Sequence, residues 1–412
     1  MQEAWIIDAT RIPRSVGKVG KGKLAHLHPH RLLATTLKGL SDRNDFDTKD
    51  IDDVIAGCGS QRGEQGHCIG RMGALTAGWH IDATGISIDR FCGSGLTAVN
   101  LAAMGIMSGM QDLVVGCGIE MMSAAPSVVG APQLMDSNNL ALRLSHPQPH
   151  QGVCADVIAS MEGFTRAELD AHAVESQVRA AYAIKNDHFQ KSLVPIYNED
   201  GTLALDQEDF PRPGTTMEGL AGLKTVFSNY MDYPMGAEGA KTTCRELVKA
   251  KYPDLKVEHF HHAGNSSGVV DGAGAILLAS PEYAKAHGLK PRARIIAMAN
   301  ASCDPALMLN APVPAAKKAL KKAGMEVGDI DLFEINEAFA VVSAKFMRDL
   351  NLDYAKVNVD GGAMALGHPI GATGSILVGT LLDAMERKNA ATGLVTMCTG
   401  GGMAPALILE RI

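Results

Sequence analysis

Four short stretches set reactive or hydrogen-bonding side chains among glycines. In "SIDRFCGSGLTAV", Cys92 ends a short apolar run and is followed by Gly-Ser-Gly and an Ala/Leu/Met-rich segment. A thiol at the first turn of a helix meets backbone N–H groups that favour the thiolate and lower its pKa below about 8.5. Glycines beside it let a substrate approach closely. The other reading is a small core residue, since free cysteine is among the most buried residue types. In "GGAMALGHPIGATGS", His368 stands between Gly and Pro, just before a glycine-rich helix start. An imidazole near a thiol can take its proton, whereas a lone histidine is as readily structural. In "MCTGGGMA", Cys398 ends a strand-like run ahead of Thr and three glycines. It is either a core cysteine before a turn or a second thiol for acid–base work, with glycine N–H groups aimed at an oxyanion. Asn336 and Glu337 in "EINEAFA" close another strand, where they either hydrogen-bond in the core or hold a water or His368 in place.

The elements that must position these groups alternate. "AWIIDA", "DDVIAGC", "GISIDRF" and "DLVVGCG" read as strands, and "HRLLATTLKGLSDR" and "GLTAVNLAAMGIMSG" as helices, the second apolar nearly all round and hence buried. This β-α-β alternation implies an α/β fold with helices on both faces of a sheet. The order returns near the C-terminus: "DIDLFEINEAFA" echoes "DIDDVIAGCGSQ", "KVNVDGG" echoes "GISIDRF", and "GLVTMCTGGG" echoes "DLVVGCGIEM". The three offsets agree at about 271 to 281 residues, the mark of a duplicated domain-scale unit rather than a solenoid. The middle, roughly 121–262, follows neither copy. It is expected to be an excursion laid over the sheet ends, with a helix in "TRAELDAHAVESQVRAAYAIKNDHF" and an irregular region from Asp200 to Pro253. The chain then rejoins the first unit through "SSGVVDGAGAILLAS".

A net charge of −7 over 412 residues argues against a nucleic-acid partner. The basic stretch "RIPRSVGKVGKGK" reads as a solvated loop, with phosphate binding the weaker reading. The eight cysteines show no Cys-x-x-Cys spacing, so reduced thiols are expected. No metal is expected: "HLHPH" and "HFHH" lack a partner set at zinc spacing and read as exposed or supporting histidines. No apolar run approaches the length of a membrane span, and "MQEAWIIDATR" lacks the features of a signal peptide. A cytoplasmic protein without membrane association is expected.

Taken together, Cys92-Gly93-Ser94, Asn336 to Phe339, Gly367-His368-Pro369 and Cys398-Thr399-Gly400 resemble the fingerprint of the thiolase family, in its order and at its spacing. The similarity runs from "DATRIP" to "LILER". It implies duplicated α/β halves in a five-layer α-β-α-β-α arrangement. Residues 1–122 and 263–285 would form the N-terminal half, 123–262 an inserted loop domain for CoA and acyl binding, and 286–412 the C-terminal half. The implied reaction is reversible thiolytic cleavage of a 3-oxoacyl-CoA to acetyl-CoA and a shortened acyl-CoA, through an acyl-cysteine. Cys92 would be the nucleophile, His368 its base and Cys398 the second acid/base. One oxyanion site would join His368 to a water held by Asn336, the other the N–H groups of Cys92 and Gly400.

For CoA, the resemblance implies Ser267 near the pantetheine, Phe339 in the pocket wall and His150 at the family's His-Met-Gly position, where Gln151 stands for Met. The segment Leu223–Asn265 is longer than in short-chain thiolases, which makes a bulkier acyl group in degradation a fair expectation. The competing role is synthesis of acetoacetyl-CoA. CoA would be a co-substrate and no cofactor tightly bound; the assembly would be a homodimer or homotetramer. Two rivals are weaker. A ketoacyl-synthase-type condensing enzyme would pair the cysteine with two histidines, or with His and Asn, and the second-half thiol Cys398 speaks against it; a non-catalytic thiolase-like lipid-binding protein would have lost a reactive group.

Overall fold

The computed structural model describes residues 2–124, 134–239 and 241–412; the first residues of the expected insertion, 125–133, lie outside them. Twelve strands are β1 (Trp5–Arg11), β2 (Ser15–Val16), β3 (Asp53–Gly57), β4 (Gly85–Ile88), β5 (Leu113–Met121), β6 (Ile196–Tyr197), β7 (Leu203–Leu205), β8 (Val270–Ala279), β9 (Ala293–Ser302), β10 (Leu332–Ile335), β11 (Thr392–Thr396) and β12 (Met403–Arg411).

The duplication is visible in the pairing. In the first half, β3 runs parallel to β4 and β5, β5 antiparallel to β8, and β8 antiparallel to β1. In the second half, β10 runs parallel to β11, β11 antiparallel to β12, and β12 antiparallel to β9. The β4 equivalent is reduced to one parallel bridge between Phe333 and Val357, so "KVNVDGG" is not a strand. The halves join into one ten-stranded sheet, among the described residues through two residue pairs, Trp5 with Arg294 and Ile6 with Ala293.

Three cores lie across these strands. One packs the helices Pro29–Arg43 and Ile69–Thr76 on the outer face of the first half. Another packs the helices Pro312–Ala323 and Ala340–Leu350 on the outer face of the second. Between the halves, the helices Ser94–Met107 and Thr373–Lys388 share a core with Ile55, Val114, Ile276, Leu332, Val395 and Leu407. These are the five layers that the family resemblance implies. Both central helices touch both halves of the sheet, so most of their residues are buried, and the first of them reads as apolar nearly all round.

The central helices meet at their starts, and glycine permits it. A side chain on Gly374 would place its Cβ 1.9 Å from the backbone nitrogen of Leu96, and one on Gly95 would sit 2.7 Å from the carbonyl oxygen of Gly371. The obstacles are backbone atoms, which cannot swing aside. Gly374→Ala is therefore expected to destabilise the fold by about 3 kcal/mol or more, read as a lowered denaturant midpoint. An unchanged midpoint would show that the two helices can separate.

The 134–262 stretch carries the helices Gln151–Glu162 and Arg166–Lys185, the latter opened by a Thr165/Glu168 capping box. The region 200–253, read as irregular, contains three short helices, Met217–Ala221, Ser228–Met231 and Cys244–Lys251.

Candidate active site

Cys92 follows a tight turn. Phe91 adopts a left-handed backbone (φ 49°), a costly conformation for a bulky residue that persists only where its surroundings hold it. Here Asp89 Oδ1 accepts from Phe91 N at 2.6 Å, Ser94 Oγ donates to Phe91 O at 2.6 Å, and Arg90 N donates to Ser94 Oγ at 2.8 Å. The turn delivers Cys92 to the junction of the halves, where a side chain on Gly93 would collide with Thr399 and Pro405.

Cys92 and His368 line one cavity of about 200 Å³ together with Met122, Gln151, Phe227, Ser266, Ser267, Ala338, Phe339 and Ile370. The backbone N–H groups of Cys92 and Gly400 hydrogen-bond to the Cys92 sulfur, yet burial, aided by the negative field of Glu120, pushes the thiol up to about 12. The expectation of a lowered thiol pKa is thus overturned: removal from water outweighs the two N–H groups. At rest Cys92 is a thiol, and it could act as a nucleophile only with a base beside it.

His368 lines the same cavity and has the geometry of a proton acceptor. Its Nδ1 lies 2.5 Å from Thr373 Oγ1, which itself donates to the carbonyl of Pro369 at 2.9 Å. The hydroxyl must therefore accept from Nδ1–H, and the lone pair falls on Nε2. Nε2 faces Asn336 Nδ2 at 3.4 Å. Burial lowers the imidazole to about 4, so it is neutral near pH 7. Asn336 is fully buried and its Oδ1 has no partner.

Cys398 is 1% exposed and is not among the residues lining the cavity. Burial, reinforced by the neighbouring Cys92 sulfur, holds its thiol well above the ordinary range. Ser267 and Phe339 both line the cavity, and Ser267 N donates to the carbonyl of Ala338 at 2.9 Å. His150 is not in the wall: it caps the helix Gln151–Glu162 through Nδ1 and stacks on Phe227 and Tyr230. Glu337 turns away from the cavity. It accepts from Ser176 Oγ, Asn358 Nδ2 and Met364 N, fixing the loop that leads to His368.

The two histidine clusters part company. His26 and His28 are exposed. In "HFHH", His261 and His262 are buried, bonded to Asp156 at 2.7 Å and Asp170 at 2.8 Å, so exposure fails there because two helices supply carboxylates. No cluster of three possible ligands for a metal occurs among the described residues. Three residues escaped the sequence reading. Thr373 sets the His368 tautomer, and Ser266 leaves an unpaired hydroxyl in the cavity wall. Glu120 accepts from Gly59 N and Gly371 N, one from each half, both at 2.8 Å. Only Glu120 gave a signal, as an acid inside the apolar run "LVVGCGIEM".

A second cavity of about 560 Å³ meets the first along Phe227 and Ser266 to Val269. Its wall includes Phe210, Leu220, Leu223 and Met364, with Lys18 and Arg212 as its cations. Lys18 comes from the basic stretch read as a solvated loop.

Known proteins bear on this arrangement. Residues 4–230 match the family Thiolase, N-terminal domain, and residues 289–411 match Thiolase, C-terminal domain. A steroid 3-ketoacyl-CoA thiolase of Mycobacterium tuberculosis is 38% identical, covering 100% of this chain and 95% of that protein. A 3-oxoadipyl-CoA/3-oxo-5,6-dehydrosuberyl-CoA thiolase of Escherichia coli is 37% identical over all of both chains. The crystal structure of the Bacillus anthracis acetyl-CoA acetyltransferase superposes with a TM-score of 0.84 at 31% identity, over 100% of this chain and 99% of that one. With matched domains spanning both halves and relatives of this identity over its full length, the chain belongs to the thiolase family and is an acyl-CoA C-acyltransferase.

Proposed function

We propose that this thiolase cleaves 3-oxoacyl-CoA with Cys92, His368 and Cys398 in the following roles. Cys92 Sγ attacks the 3-keto carbon as its proton passes to His368 Nε2. The C2–C3 bond breaks, its electron pair goes to the acetyl-CoA enolate, and the Cys398 thiol protonates C2. Cys92 keeps the acyl group as a thioester. Free CoA gives its thiol proton to the Cys398 thiolate and attacks the acyl carbon. Cys92 leaves and regains its proton from His368. The enolate and the tetrahedral adducts need donors at their oxygens, and losing one such donor costs about 10²–10³ in rate. Asn336 beside His368 serves one oxygen, and the N–H groups of Cys92 and Gly400 serve the other. The observation that carries this reading is the shared cavity, in which a neutral imidazole and the Cys92 thiol face the same space. Ser267 and Phe339 flank the path of the pantetheine, His150 braces Phe227 from behind, and Lys18 and Arg212 suit the phosphates of CoA.

Degradation of an acyl group larger than acetyl is favoured over acetoacetyl-CoA synthesis by the mostly apolar cavity at Cys92, whose volume of about 200 Å³ is more than a two-carbon group needs. The test is the rate of thiolysis against 3-oxoacyl-CoAs of rising length. A rate that peaks at 3-oxobutanoyl-CoA would move the reading to the biosynthetic reaction. All eight cysteines are unpaired, which fits a reducing cytoplasm. No helix is long and apolar enough to cross a membrane among the described residues.

A homo-oligomer is part of the same proposal. Among the described residues β4 pairs on one side only, with β3, and its Ile86 is 45% exposed, with Ile81 and Met104 also exposed. An open apolar edge strand is a pairing template. Ile86→Lys is expected to shift the mass seen by light scattering toward the monomer. An unchanged assembly would place the interface elsewhere.

A further inference from the structure

The geometry points to an acyl group that carries an uncharged oxygen, bound by Gln151 and Ser266. This rests on the reading of the cavity as the site of acyl transfer. The wall around Cys92 is mostly apolar, with Met122, Phe227, Val269 and Ile370 suited to hydrocarbon. Two polar side chains break it without being needed by the proposed chemistry. Ser266 is 8% exposed, and its hydroxyl is buried with no hydrogen-bond partner. Gln151, at the first position of the helix Gln151–Glu162, is half-buried, and its amide makes no hydrogen bond among the described residues.

A buried hydroxyl left unpaired costs free energy that a ligand oxygen can recover. A site built to hydrogen-bond a substrate group also rejects the analogue that lacks it. The partner is neutral. No Lys, Arg, Asp or Glu lines this cavity, and its only titratable base, His368, is uncharged near pH 7. A carboxylate there would lie buried and unpaired, at a cost of several kcal/mol. A hydroxyl, ketone or ether oxygen fits. The pantetheine arm also carries neutral amides, and Ser266 lines both cavities, but Gln151 lines the cavity of the reacting thiol and not the larger one beyond it, so an oxygen shared by the two side chains lies on the thiol's side. The oxygen is therefore assigned to the acyl chain.

The test is a series of matched substrates: 3-oxooctanoyl-CoA and its analogues with oxygen in place of the methylene at carbon 5, 6 or 7. The readout is the ratio of kcat/KM for each ether to that for the all-carbon parent. The wild-type enzyme is expected to favour one ether by about tenfold, and Q151M and S266A to bring that ratio to near one. S266A removes a single atom, so it supplies the test even where Q151M misfolds. A flat wild-type ratio overturns the inference. So does an equal loss by the variants on ether and parent, which would assign both residues to the pantetheine. A wild-type enzyme that cleaves none of the series would instead refute the proposed thiolysis, a distinct outcome.

Discussion

Cys92→Ser is expected to lower thiolysis of a 3-oxoacyl-CoA by about 10⁴-fold or more, and to abolish the acyl-enzyme that a single turnover without CoA leaves on the wild-type protein. The size follows from the site. Burial already pushes the thiol up to about 12, and the only base beside it is an imidazole lowered to about 4. Proton transfer between them is uphill even for sulfur. Oxygen in the same place starts from a far weaker acid, and its anion, smaller and harder, loses more on leaving water. The serine is nearly isosteric, so the turn at Phe91 and the bonds of Ser94 persist, and substrate binding should survive. Intact-mass spectrometry after mixing with 3-oxoacyl-CoA reads the covalent step directly. A serine variant that still gains the acyl mass and turns over at full rate would remove Cys92 from the nucleophile's role.

The reach of the sequence differs from element to element. The duplication was readable because each repeated block pairs strand, turn and helix in a fixed order, and the structure repeats the same parallel and antiparallel pairings. "KVNVDGG" misled because its alternation suits a strand, while Asn358 bonds back to Ile335 and ends the pairing after Val357. The short helices within 200–253 were hidden because each spans no more than eight residues, too few turns for a periodic apolar stripe to emerge.

The residues proposed to react stood out because sulfur and imidazole among glycines are chemically conspicuous. Their protonation was not. A helix start argues for a thiolate, and only the three-dimensional burial shows that desolvation outweighs the nearby N–H groups. Thr373 was invisible for a related reason: its hydroxyl matters solely through its distance to His368 Nδ1. His261 and His262 found their carboxylates on helices about a hundred residues earlier in the chain, a separation no local pattern encodes.

His368→Asn is expected to lower the single-turnover rate of acylation by about 10³-fold, within the range for losing a general base, and to change its pH dependence. The wild-type sign follows from the cited shift. The imidazole is lowered to about 4 by burial, so it is about half protonated at pH 4 and only about 1% protonated at pH 6. An unperturbed histidine would still be about three-quarters protonated at pH 6. Acylation should therefore hold its rate as the pH falls from 8 to 6 and fade only as it nears 4. Cys398, whose thiol is held well above its ordinary value, stays protonated across this range and adds no limb of its own. The asparagine variant can donate to an oxyanion but cannot take a proton, so its residual rate should lack that acid limb and rise with pH as hydroxide replaces the base. A wild-type inflection near 6.5 would mean that the imidazole is solvated during catalysis, and that the cavity opens to water before Cys92 attacks.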